Sequence, residues 1–290
     1  MEYEKLIAKK NYSRVFYLLK DANLSERYIS KLRQKDMLFL NGKPCDMRTQ
    51  VNENDIIEFA LNIGKKTDIA ECDMKLDILF EDKDFLIANK PPLVASTPTK
   101  SHYNFNLAGA VCKYMKKEDP NFVYRILNRL DKDTSGIVII AKNLFAYNSV
   151  KNIEKRYEAI CEGNIKENFD IDQPILTITK DGINERKRVV SPLGKKASTH
   201  VEVIKNYSNF CHISLRIEQG RTHQIRVHMA AISHPVEGDP LYAGKNFDKL
   251  YKNGQLLVAY KLKLIHPKTK KEMVFEIPLP AYFEDVIKSL

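Results

Sequence analysis

The stretch YRILNRLDKDTSGIVIIAK, residues 124–142, crowds Arg125, Arg129, Asp131 and Asp133 ahead of an apolar run. GIVIIAK has the composition of a buried strand, so the loop before it delivers charged side chains to the rim of a sheet. An exposed ion-pair cluster at a strand entrance contributes little to stability. A carboxylate held among cations against an apolar strand is also a chemical device, because burial raises its pKa unless a cation stands close.

On both sides of this stretch, strands recur with few long helices. LDILFEDKDFLIANKPP predicts a short strand around Ile78 to Phe80, an acidic turn, a second strand FLIANK and a Pro-Pro stop. RYEAICEG, KKASTHVEVIKNY, FCHISLRIE, LLVAYKLKLIH and EMVFEIPLP all have strand composition, and KLIHPKTKKEMVFEI spells a hairpin. Residues 74–290 therefore form one α+β domain, a mostly antiparallel mixed sheet flanked by a few helices.

Residues 12–62 read as a separate small α+β module, after an N-terminal extension, 1–11, and before a polar linker, 63–73. Ser13 and Ser25 are suitable N-caps for two short helices, the second, ERYISKLRQK, turning Ile29 and Leu32 inward. MLFLNGKPC then reads as strand and turn, and VNENDIIEFAL as turn and strand. Arg27, Lys31 and Lys35, at i, i+4 and i+8, put three cations on one helix face, with Lys43 on the following turn. On an arbitrary helix this is a solvated face; on a basic chain it is a phosphate contact.

The chain of 290 residues carries 47 Lys and Arg against 37 Asp and Glu, a formal net charge of +10 that favours a polyanionic partner. No stretch approaches the ~18 uninterrupted apolar residues of a membrane span, and MEYEKLIAKK lacks the apolar core of a signal peptide. The expectation is a cytoplasmic protein without membrane attachment. Cys45, Cys72, Cys112, Cys161 and Cys211 are odd in number and form no CxxC pair, so neither a disulfide framework nor a cysteine zinc site is suggested.

The second informative stretch is EQGRTHQIRVHMAAISHPVEGDPLYAG, residues 218–244. Thr222 is a suitable N-cap, and Ile225, His228, Met229 and Ile232 recur at helical spacing until Pro235 blocks continuation. Arg226 then falls in the first turn, where free N–H groups attract an anion. His223, His228 and His234 lack metal-ligand spacing, so packing or hydrogen bonding is the better reading. GKKAST at 194–199 lacks the leading glycine of a phosphate-binding loop, and no dinucleotide fingerprint or GxSxG elbow appears. What remains is a site of Asp, Arg, Lys and Tyr, with no cofactor and no metal. Arg226 is positioned to pair with Asp131 or with Asp133; spacing does not choose.

These stretches, taken in order with KRYEAICEG and GKKASTHVEVI, resemble the successive motifs of the RluA-type pseudouridine synthases over essentially all of 74–290. Residues 12–62 resemble the S4 RNA-binding domain that many such enzymes carry in front. The resemblance implies that Asp131 of RLD is the catalytic carboxylate, that Tyr157 of KRY lies against the target base, and that Arg226 of HQIR pairs with Asp131. It further implies that Arg129 fills the space left by a flipped nucleotide. RNA contact is expected of Arg129, Asn128, Lys90, Arg221, His223 and Gln224, and in the module of Arg27, Lys31, Lys35 and Lys43.

The chain departs from the family pattern at Asn128, where histidine is usual, at Pro92 for glycine, at Ser96 and Thr97 where a histidine often stands, and at Gln219 for threonine. None removes the Asp, Tyr or Arg. The expected activity is isomerisation of uridine to pseudouridine by a monomer, on large-subunit ribosomal RNA first and tRNA second, with no DNA partner. The rival is a non-catalytic ribosome-assembly factor on the same scaffold.

Overall fold

The computed structural model describes residues 3–34, 37–61, 69–99, 101–150, 152–180, 183–243 and 254–290. Lys35 and most of the expected linker lie outside these. In the small module the elements are β1 (Tyr3–Ile7), α1 (Val15–Asp21), α2 (Glu26–Lys31), β2 (Leu38–Leu40), β3 (Lys43–Pro44) and β4 (Ile56–Ala60). Its sheet runs β1-β4-β2-β3.

Three local expectations change here. The segment read as an extension supplies β1, paired antiparallel with β4 from Tyr3↔Ala60 to Ile7↔Ile56. Its short alternation, YEKLI, was too weak to separate from coil. Arg14, not Ser13, occupies the N-cap of α1, without a side-chain cap, whereas Ser25 caps α2 by accepting from the Tyr28 N–H at 3.2 Å. And α2 ends at Lys31, with Leu32 as its C-cap, so of the expected cation stripe Arg27 and Lys31 are the two that stand on this helix. Ile29 and Leu32 are buried, as the periodicity required.

The larger part continues with β5 (Asp77–Glu81), β6 (Phe85–Lys90), α3 (Leu107–Met115), β7 (Ser135–Ala141), α4 (Leu144–Ser149), β8 (Ile153–Glu162), β9 (Phe169–Asp172), β10 (Ile175–Lys180), β11 (Ile183–Val190), β12 (Ser198–Asn206), β13 (Phe210–Ile217), α5 (Gln224–Ala231), β14 (Leu257–Ile265), β15 (Glu272–Glu276) and α6 (Ala281–Ser289). A nine-stranded sheet has the order β5-β6-β7-β14-β8-β13-β12-β9, with β15 paired to β14. All pairs are antiparallel except β14 with β7, which meet in parallel at Val258↔Ser135 and Ala259↔Gly136.

Alternation along the central strands explains why both faces are covered. In β6, Leu86 and Ala88 join a core with α3 and α5, while Phe85 and Ile87 join one with α4 and α6. Every residue of β7 is buried, which is why GIVIIA reads as an unbroken apolar run and not as an alternation. Gly136 sits in that strand at φ +118, and a Cβ there would lie 2.3 Å from the Ala259 carbonyl oxygen. Only glycine lets β7 and β14 approach so closely.

The small module packs on this domain. Phe145 of α4 is buried in the module's core, 5.9 Å from Phe59 between ring centroids. The Ser25 hydroxyl donates to Asn148 Oδ1 at 2.6 Å. Residues 69–73, expected as linker, run against α3, where Lys116 pairs with Glu71 at 2.9 Å. Among the described residues, no helix is long and apolar enough to cross a membrane.

Candidate active site

The loop from Asn128 to Thr134 is held from several directions, and Asp131 is at its centre. Asn128 clamps it to β7, donating to the Ile137 carbonyl at 2.9 Å and accepting from the Ile139 N–H at 2.8 Å. Ser96 grips the residue before Asp131, its hydroxyl donating to the Leu130 carbonyl at 2.6 Å and accepting from the Leu130 N–H at 3.2 Å. Lys90 is wholly buried and donates to the carbonyls of Pro91, Val94 and Lys132 at 2.8, 2.7 and 3.1 Å. Gly254, at φ +86, closes on the far side; a Cβ there would stand 2.8 Å from the Asp133 carbonyl oxygen.

Arg226 projects from the first turn of α5. His223, not Thr222, occupies the N-cap, in a left-handed conformation with φ 58 and no side-chain cap. Arg226 Nη1 donates to Asp131 Oδ2 at 2.7 Å. Its other edge makes a two-pronged contact with Asp239, Nε to Oδ2 at 2.7 Å and Nη2 to Oδ1 at 2.8 Å. Asp239 is fully buried and also accepts from the N–H groups of Leu241 and Tyr242. The Tyr242 ring lies under the guanidinium, 5.2 Å from its carbon. Burial alone would disfavour the charge on Arg226, but the hydrogen bonds and charges of Asp239 and Asp131 outweigh it and raise its pKa.

Asp133 takes no part in this chain; its one ion-pair contact among the described residues is Lys132, at 3.8 Å. Spacing left the two aspartates equivalent, and the geometry separates them. Asp239 and Tyr242 were missed by sequence reading, although both stand in the stretch quoted around Arg226. Their signal was the GDP turn, whose carboxylate the helix end can reach only once the chain has folded back.

Beside Asp131 opens a cavity of about 300 Å³, lined by Arg129, Lys155, Tyr157, Arg221, His223 and Arg226 among others. Lys155 and Tyr157 are two apart on β8 and therefore share a face. Tyr157 is 6% exposed and packs with the core on one side. Burial, with a smaller push from the Asp131 charge, raises its phenol pKa well above the ordinary range, so it is neutral at physiological pH. Burial lowers the Lys155 pKa. Lys155 was missed by sequence reading; its signal was the alternation in EKRYEA, which sets it on the same face as Tyr157. His223 accepts from or donates to the Tyr242 hydroxyl at 3.1 Å. Burial lowers its pKa, so its 3.8 Å approach to Asp131 is no ion pair at neutral pH.

Three of the residues expected to touch RNA are buried and hydrogen-bonded within the chain, though Asn128 and Gln224 also line the cavity. Lys90 and Asn128 are buried and committed to backbone carbonyls and amides, as above. Gln224 is 3% exposed and bonds Ser198, Thr199 and the Arg221 N–H. The reason is common to the three: a polar group at a strand or helix end is read as exposed, but the neighbouring segment folds over it and uses it to satisfy backbone groups. Arg129, Arg221, Arg27 and Lys43 are exposed, and Lys31 is half-buried. His228 and His234 bond Thr199, Gln173 and Glu162. Ser96, noted only as a departure, turns out to hold the Asp131 loop.

The family model described as RNA pseudouridylate synthase matches residues 84–231. An uncharacterized RNA pseudouridine synthase of Bacillus subtilis, YjbO, is 35% identical over 87% of this chain and 89% of its own. The ribosomal large subunit pseudouridine synthase D of Haemophilus influenzae is 32% identical over 89% of this chain and 84% of its own. Among solved structures, human RNA pseudouridylate synthase domain containing 1 superimposes with a TM-score of 0.57 at 24% identity, covering 71% of this chain and 84% of that one. That likeness shows a shared fold.

Proposed function

This chain belongs to the RNA pseudouridylate synthase family, and from that premise we propose that it isomerises uridine to pseudouridine in large-subunit ribosomal RNA, with Asp131 as its catalytic carboxylate. It is an RNA pseudouridine synthase, an intramolecular isomerase. The observation that carries the assignment of Asp131 is its 2.7 Å bond to a buried arginine at the mouth of a basic cavity.

The target uridine leaves the base stack to reach a side chain recessed in this cavity. Its N-glycosidic bond breaks, the uracil turns while held, and a C–C bond forms from the ribose to C5. Attack by Asp131 on the sugar and withdrawal of the 2′ proton by Asp131 both need an ionised carboxylate, and Arg226 supplies the counter-charge. Tyr157, neutral and wedged against the core, offers its ring to the base, and the proton that C5 loses once the C–C bond has formed is balanced by the one taken up at N1, the nitrogen freed when the glycosidic bond breaks. Arg129, exposed at the rim, fills the gap in the stack, while Arg221 and His223 line the entry. The atoms of substrate and product are the same, so the reaction calls for no redox partner and no acceptor.

The small module serves as an S4-like grip on RNA phosphates, supported by its two helices, its separate sheet and the exposed Arg27 and Lys43. Ribosomal RNA is favoured because relatives named for the ribosomal large subunit match most of both chains; the enzyme works as a cytosolic monomer. An intact Asp131–Arg226–Asp239 chain argues against a decayed, non-catalytic assembly factor.

The test is tritium release from unmodified 5-tritiated ribosomal and transfer RNA with wild type and Asp131→Asn. Release by wild type from ribosomal RNA alone is the expected result. Release from tRNA alone would move the substrate; equal release by the variant would remove Asp131 from the chemistry.

A further inference from the structure

A second cavity, of about 350 Å³, lies between the small module and the catalytic domain. Arg27 and Lys31 of α2 line one side, Arg125 and Tyr147 the other, and among the described residues no Asp or Glu lines it. Arg125 is 8% exposed and makes one hydrogen bond among the described residues, from Nη1 to the Val123 carbonyl at 3.0 Å. Its guanidinium has five donors, so the rest are left to whatever enters. Burial brings its pKa down to about 10, which still leaves it charged at neutral pH. The Tyr147 ring is 42% exposed at the edge. Three cations with no carboxylate among the described lining residues, beside an exposed aromatic face, are the pattern that takes phosphodiesters with a stacked base.

Two further observations tie this cleft to the active site. Ile126 lines both cavities and pairs with Ile140 of β7, so one side chain is their common wall. The Ser25–Asn148 hydrogen bond, 2.6 Å, fixes the two banks of the cleft to each other. We propose that the cleft binds the single-stranded RNA segment flanking the flipped uridine, which passes over Ile126 from one cavity to the other. The segment's phosphates lie between Arg27, Lys31 and Arg125, and a base stacks on Tyr147. The docked module thus measures the distance from the target uridine to an unpaired neighbour, which selects among RNA sites. This rests on the RNA-isomerase reading.

The experiment is photo-crosslinking of a ribosomal RNA fragment carrying 4-thiouridine at single positions on either side of the target, followed by peptide mapping, with KM and kcat measured for Tyr147→Ala and for Arg27→Gln/Lys31→Gln. Both variants alter exposed or half-exposed side chains, and melting temperatures confirm that they fold. The expected result is a crosslink within Leu144–Ser149 from one flank only, with KM raised about tenfold and a shallower salt dependence in the double variant. Crosslinks confined to the Asp131 cavity, or an unchanged KM in both variants, would overturn the cleft as an RNA site. If wild type turned over no RNA, the isomerase reading would fail, while the crosslink would still decide whether the cleft holds a strand.

Discussion

Arg226 donates to Asp131 across 95 residues of chain at 2.7 Å, and the other edge of the same guanidinium is locked on Asp239. The two carboxylates have different surroundings: Asp131 keeps 26% of its side chain exposed, Asp239 none. One is open to the cavity, and the other fixes the arginine bonded to both. Substitution should therefore separate chemistry from structure.

At Asp131, replacement by Asn keeps the shape and a hydrogen-bond acceptor toward Arg226, which retains Asp239. Turnover in the tritium assay should fall by at least about 10³-fold, while the melting temperature moves by no more than about 4 °C. Retained turnover would show that the carboxylate is not chemical.

Asp239→Asn should cost stability as well as activity. It leaves a buried guanidinium short of one charge, a change of the kind that costs about 3–5 kcal/mol. Urea unfolding should register that loss, and Arg226, no longer oriented, should let activity fall with it. A variant as stable as wild type would mean that Asp239 does not hold the arginine.

Ser96→Ala removes both bonds to Leu130. A stability loss of about 1–2 kcal/mol is expected, together with a drop in kcat of roughly tenfold as the Asp131 loop loosens, and little change in KM. An unchanged kcat would reduce Ser96 to a packing residue.

Lys90 supplies a pH test. Burial brings its pKa down to about 7 in the folded protein, against about 10.4 in an unfolded chain. Between these values the unfolded chain binds the extra proton, so the Lys90 contribution to stability rises with pH and is flat below about 7. The stability of wild type relative to Lys90→Met should therefore increase by about 1.4 kcal/mol per pH unit from pH 7.5 to 9.5. Parallel pH curves for the two proteins would show that Lys90 keeps an ordinary pKa.

Much of the site was legible in short stretches. RLDKDTSG ahead of GIVIIA marked Asp131, and the helix opening at HQIR marked Arg226, because each motif is local and its backbone context reads from a few neighbours. The burial of Lys90, Asn128 and Gln224 was not legible, because the segments that cover them come from elsewhere in the chain. β1 and the β10–β11 hairpin went unread, being short strands whose partners, not their composition, make them strands.

By itself the sequence determined which residue types were available, the buried strands, the basic balance of the chain and the family to which its motifs belong. Tertiary structure alone decided that Asp239 completes the Asp131–Arg226 pair that spacing left open and the motif resemblance implied, and that the small module closes a second basic cleft against α4. The physical reason is range. Strand and helix preferences act over a few neighbouring residues, whereas a guanidinium chooses its carboxylate by distance and direction, which exist only after the sheet has brought remote loops to one rim.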